Sequence, residues 1–133
     1  MRISEIEGLG PAYIAKLKEK GITTTEALLR EGATRNGRRV LAEKTGLPEK
    51  KILEFINRAD LMRIRGVGKE YSDLLVGAGV DTVRELSHRR ADNLLSTMNA
   101  ANVEKPLVRQ MPTLNRVAHW IEEAKELQPL VTY

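Results

Sequence analysis

The stretch that decides the fold occurs twice: Ile6-Glu7-Gly8-Leu9-Gly10-Pro11-Ala12-Tyr13 and, 58 residues later, Ile64-Arg65-Gly66-Val67-Gly68-Lys69-Glu70-Tyr71. The match continues without a gap through Leu17/Leu75, Gly21/Gly79, Ile22/Val80, Thr24/Thr82 and Leu28/Leu86. Further on, Phe55-Ile56-Asn57-Arg58-Ala59 aligns with Trp120-Ile121-Glu122-Glu123-Ala124 at an offset of 65, so the second copy carries seven additional residues, most simply within 99–110. Self-similarity at a fixed period marks one structural unit used twice. The chain therefore reads as a first unit over 1–60 and a second over 61–133, the second carrying the insertion and the C-terminal tail.

Within each copy the signals are helical. Pro11 suits a first helical position after Gly10, Tyr13, Ile14 and Leu17 share a face, and Gly21 stands where a left-handed residue would close a helix running from about Pro11 to Lys20. Thr24, Thr34, Thr82 and Ser87 read as N-caps, and Thr82 with Glu85 has capping-box spacing. Ile52, Phe55, Ile56 and Ala59 line one face of a closing helix over Glu49 to Asp60, as Val117, Trp120, Ile121 and Ala124 do over Leu114 to Leu127. The expected core is Leu17, Leu28, Leu41, Ile52 and Phe55 in the first unit and Leu75, Leu86, Leu94, Val117 and Trp120 in the second. No stretch alternates with strand period between hairpin-type turns. Pro106, Pro112 and Pro129 mark helix starts or chain breaks. The fold class is all-α, two tandem units.

Composition narrows the function. At 133 residues the chain suits a binding module better than a multi-step enzyme, and with one Trp, one Phe and three Tyr its core must be aliphatic. It has no Cys and only two His, His88 and His119, which removes disulfide and thiolate chemistry and leaves little for a metal cage. No catalytic residue, metal or cofactor is expected. Lys and Arg number 22 against 18 Asp and Glu, a net charge of +4 that leans mildly toward a polyanionic partner. No apolar run approaches the ~20 residues of a bilayer span, and the start Met1-Arg2-Ile3-Ser4-Glu5 lacks a signal-peptide core, so a cytoplasmic protein without a membrane partner is expected.

The informative chemistry is Gly-x-Gly opening a helix. Two glycines two apart let the backbone turn so tightly that successive N–H groups point outward at the N-terminus of the next helix, where the helix dipole adds to their attraction for a phosphate oxygen. One such turn is also a common way to join two helices; two copies in one chain strengthen the functional reading. The segment from Gly8 to Leu28 resembles the helix-hairpin-helix superfamily, in particular the N-terminal domain of archaeal-type recombinases and, more distantly, the C-terminal domain of the RNA polymerase alpha subunit. Thr45-Gly46-Leu47-Pro48-Glu49-Lys50-Lys51-Ile52 is similar to the second, degenerate hairpin of that pattern, whereas its counterpart near Met111-Pro112-Thr113 lacks glycine. Over its whole length, including Asn57 to Ile64 and Val131-Thr132-Tyr133, the chain resembles a bacterial family of tandem helix-hairpin-helix units described as a domain of unknown function. That resemblance implies two SAM-like helical bundles that bind DNA backbone or dock proteins.

The candidate contact residues follow from charge. Glu5 and Glu7 flank the first hairpin, Gly8, Leu9 and Gly10, with Lys16 and Lys18 a turn or more into its helix. Arg63, Arg65 and Lys69 flank the second, Gly66, Val67 and Gly68, and Glu70 and Asp73 offset them in part. The second hairpin is therefore the favoured anion site. Arg38/Arg39 and Arg89/Arg90 fall just inside expected helix starts, where cations oppose the dipole, and they join the candidate list. Tyr13 and Tyr71 read as hairpin packing, and His119 as a packing or surface residue. The expected function is non-enzymatic, largely sequence-independent binding of nucleic-acid backbone, DNA rather than RNA. The alternatives are a protein-interaction module and, with less support, a flap-endonuclease-like nuclease, which would need carboxylates gathered around Mg²⁺.

Overall fold

Proline after glycine, threonine before short apolar-faced segments and glycine after them punctuate this chain into helices, and each signal has a physical outcome. The computed structural model describes residues 1–133 and is all-α. A 3-10 turn over Ile3–Glu5 leads to α1 (Pro11–Glu19), α2 (Thr25–Gly32), α3 (Arg35–Thr45), α4 (Glu49–Leu61), α5 (Lys69–Gly77), α6 (Val83–Ser87), α7 (Ala91–Glu104) and α8 (Leu114–Glu126). The Thr24, Thr34, Thr82 and Thr113 hydroxyls cap α2, α3, α6 and α8 by accepting the N–H of Ala27, Gly37, Glu85 and Arg116 at 3.0 to 3.2 Å. Gly21 and Gly79 take φ of +78° and +90° after α1 and α5.

The chain divides into two compact units, Met1–Asp60 together with Leu130–Tyr133, and Leu61–Pro129. The tail, assigned from sequence to the second unit, belongs to the first. Val131 is buried, Thr132 N–H donates to Ala33 O at 2.9 Å, and the Tyr133 hydroxyl lies 3.2 Å from Asn57 Oδ1. All ten residues expected in the two cores are buried, none more than 3% exposed. In the second unit α8 packs on α6 and α7, and α5 on α7, around Leu75, Leu86, Leu94, Val117 and Trp120.

Local hydrogen bonds recur at the sequence offset. Leu9 N–H donates to Ile6 O and Val67 N–H to Ile64 O, while Ile22 N–H donates to Leu17 O and Val80 N–H to Leu75 O, all at 2.9 to 3.2 Å. The copies differ after the third helix. Gly46, at φ +72°, closes α3, and Leu47 is buried two residues before α4 begins. In the second unit α7 runs for 14 residues against 11 in α3, and Asn102 organises the longer connection. Its Oδ1 accepts the N–H groups of Leu107 and Val108 at 2.7 and 3.0 Å, and its Nδ2 donates to Val108 O at 3.2 Å. One expected cap is displaced: Ser87 is the last residue of α6, its hydroxyl turned to Arg84 O, and Arg90 is the residue before α7. Glu85 does not complete a capping box either, because its carboxylate pairs with Arg89 at 3.1 Å.

Candidate nucleic-acid interface

The two glycines of each Gly-x-Gly do different work. Gly8 and Gly66 have φ of +86° and +88°, a left-handed turn that a side chain would strain. Leu9 and Val67, between the glycines, are buried, and their N–H groups close the turn on Ile6 and Ile64, so these two side chains hold the hairpin, where the sequence suggested ligand contact. Gly10 and Gly68 are the N-caps of α1 and α5, with ordinary φ of −77° and −109° and no side-chain hydrogen bond to the helix end. A Cβ at either position would meet nothing within 4 Å. Neither backbone conformation nor packing requires glycine there, and serine, threonine or aspartate would cap the helix better. What glycine adds is unobstructed approach to the N–H groups of the first turn, which have no acceptor within the helix.

Around the second hairpin the charges are more mixed than the sequence indicated. Arg65 and Lys69 are exposed, but the Arg65 backbone N–H donates to the Glu123 carboxylate at 3.1 and 3.3 Å, and Arg63 Nη2 donates to Gln128 O at 2.8 Å. A cation absent from the sequence-derived set stands beside the turn. The Arg116 guanidinium lies over the rings of Tyr71 and Trp120, 5.2 and 5.7 Å from their centroids, and its Nη2 is 3.4 Å from where a Gly66 Cβ would be. Tyr71 packs against Trp120 and donates its hydroxyl proton to Gln110 O, so it is hairpin packing, as Tyr13 is against Phe55. Two signals could have found these residues: Arg116 precedes Trp120 by one helical turn, and the offsets pair Glu7 with Arg65 and Arg58 with Glu123, an acid–base pair of inverted sign in the two copies.

The first hairpin carries the exposed Glu7, and the exposed Lys16 has its Nζ 4.0 Å from where a Gly46 Cβ would stand. Arg38 is corrected outright. It is 5% exposed, its guanidinium donates to Gly32 O, Ala33 O and Thr132 O at 2.9, 3.0 and 2.6 Å, and it lies over the Tyr133 ring. Burial pushes its pKa down, yet a guanidinium stays charged, so Arg38 is an internal strut with no face for a phosphate. Arg39 is exposed and pairs with Glu43 and Asn36. Arg89 bridges Glu85 and Gly79 O, while Arg90 is exposed and pairs with Asp92. His119 is exposed.

No three acidic or histidine side chains come together in a way that could hold a metal ion, and no helix is long and apolar enough to cross a membrane. No curated protein and no solved structure matches the chain. Residues 7–127 match the family model described as domain of unknown function DUF4332, and the chain belongs to that family.

Proposed function

We propose that this protein is a non-enzymatic, cytoplasmic binder of nucleic-acid backbone that uses two helix-hairpin-helix motifs, DNA being the preferred partner. The observation that carries the reading is the pair of glycine N-caps, Gly10 and Gly68, each at ordinary φ with open space beyond it. A phosphate oxygen brought to such a helix end meets first-turn N–H groups and the positive end of the dipole. Arg65, Lys69 and Arg116 supply further cations around the second hairpin, offset in part by Glu70, Asp73 and Glu123, whereas the first hairpin carries Glu5 and Glu7, so the second is the stronger of the two. These contacts go to backbone and read no base edges, so binding is largely independent of sequence.

Fluorescence anisotropy with single- and double-stranded DNA and RNA at two salt concentrations tests the reading. Affinity that falls steeply with salt supports it, and absence of binding at low ionic strength overturns it. A second reading, a protein-interaction module, draws on a groove of about 480 Å³ in the second unit, where Leu114 is 49% exposed beside Ala118 and Ile121. Salt-insensitive association would favour it.

A further inference from the structure

A cleft in the first unit takes no part in the hairpins. It opens beside α1, where the N-terminal segment meets residues 23–24: Ile3 N–H donates to Thr23 O at 3.1 Å, and Arg2 and Thr24 form a single antiparallel bridge. Its volume of about 320 Å³ is at the lower end of the ~300–1,000 Å³ typical of small-molecule sites. Arg2 and Lys18 line it, with Ser4, Thr23 and Thr24 supplying hydroxyls and Ile14, one turn before Lys18, an apolar wall. No carboxylate is among the lining residues. The Thr24 oxygen already accepts from Ala27 N–H at 3.0 Å, which leaves its proton to donate elsewhere.

The second unit carries neither cation at the matching positions. At the offset of 58, Arg2 becomes Asp60, Ser4 becomes Met62, Lys18 becomes Val76 and Thr23 becomes Asp81. The residues matching Arg2 and Ile3 are the last two of α4, but the ends of α1 and α5 are alike, with Ile22 N–H donating to Leu17 O and Val80 N–H to Leu75 O, so that helix ending does not require Lys18. Two like charges lining one small cleft repel each other mildly, and an anion between them reverses that cost.

We propose that this cleft binds a phosphate ester, with the phosphate between Arg2 and Lys18, the hydroxyls donating to its oxygens and the organic group against Ile14. Charge-assisted bonds to phosphate fix the anion, and the apolar wall separates an ester from inorganic phosphate. The ester can be a free nucleotide or one phosphate of a strand. The inference does not rest on the hairpins.

Nuclear magnetic resonance titration of the ¹⁵N-labelled chain with AMP, adenosine, inorganic phosphate and a short single-stranded oligonucleotide tests it. AMP should shift the amides of Ser4, Thr23 and Thr24 saturably, inorganic phosphate more weakly and adenosine not at all. Arg2→Ala with Lys18→Ala should weaken AMP at least about tenfold, with the rest of the spectrum unchanged. The single variants Arg2→Gln and Lys18→Gln should each weaken it by a smaller factor. If only the oligonucleotide moves these amides, and does so in the Gly10→Asp and Gly68→Asp variants too, the phosphate comes from a strand held independently of the hairpins. No shift with AMP or oligonucleotide, equal shifts with adenosine, or shifts that survive the double substitution overturn the proposal.

Discussion

Arg38 separates the structural account from a reading by charge alone. Its guanidinium is buried and donates to three backbone carbonyls, two at the end of α2 and one in the C-terminal tail. Replacing it with Met keeps most of the apolar stem and removes all three bonds. A hydrogen bond from a charged donor contributes about 1.5–3 kcal/mol, but the Ala33 and Thr132 carbonyls are only part-buried and can take water instead, so a total loss of about 2–4 kcal/mol is expected. Arg38→Ala also gives up the packed methylenes, at about 0.8 kcal/mol each, and should lose about 3–5 kcal/mol. At about 0.05–0.15 kcal/mol per residue, a unit of this size holds only about 3–9 kcal/mol, so the alanine variant should leave the first unit barely folded. Urea denaturation followed by circular dichroism, with amide hydrogen exchange to locate the loss, measures this. Arg38→Met within about 0.5 kcal/mol of wild type would refute the strut. Unchanged stability with weakened nucleic-acid binding would return Arg38 to the surface role its sequence suggested.

Gly66→Ala, at φ +88° and 3.4 Å from Arg116 Nη2, should cost about 1 kcal/mol or more, whereas Gly68→Ala should be nearly neutral; thermal melts compare them. Asn102→Ala removes three hydrogen bonds from the 105–113 connection and should cost about 2–3 kcal/mol, with faster exchange at the Leu107 and Val108 amides as the local readout. Glu123→Gln takes a carboxylate from the second hairpin, so nucleic-acid affinity should rise severalfold in anisotropy titrations; an unchanged affinity would place that turn outside the contact. The logarithm of the binding constant should fall with the logarithm of salt concentration with a slope of about −3 to −5, from roughly four or five neutralised phosphates.

The repeat made much of the helical order legible because its signals are local. Pro11, the glycines at 8, 21, 66 and 79 and the caps Thr24, Thr34 and Thr82 act within a few residues of themselves, and helix periodicity found every expected core side chain. Ser87 failed because local chemistry does not distinguish a capping serine from the uncapped start at Arg90, three residues later. Long-range pairing was the harder part. Nothing near Arg38 announces that Thr132 and Tyr133, over ninety residues away, fold back onto it, and its charge alone points to the surface. Arg116 and Glu123 reach the second hairpin from α8, so scanning the residues beside the Gly-x-Gly missed them. The glycine caps were legible as a motif, but that Gly10 and Gly68 face open space is a fact of three dimensions.

The central claim is that the glycine caps exist to admit phosphate, and Gly68→Asp tests it most directly because stability and binding are expected to move in opposite directions. Aspartate is a better N-cap than glycine by a few tenths of a kcal/mol, φ at this position suits it, and its Cβ meets no neighbour, so the variant should melt no lower than wild type. Its carboxylate would occupy the N–H groups offered to phosphate and repel the backbone. In one anisotropy titration at low salt, run beside a melt of the same sample, the account predicts unchanged or raised stability with DNA affinity reduced at least about tenfold, and a smaller reduction for Gly10→Asp. A stable Gly68→Asp variant that binds DNA as tightly as wild type would contradict it.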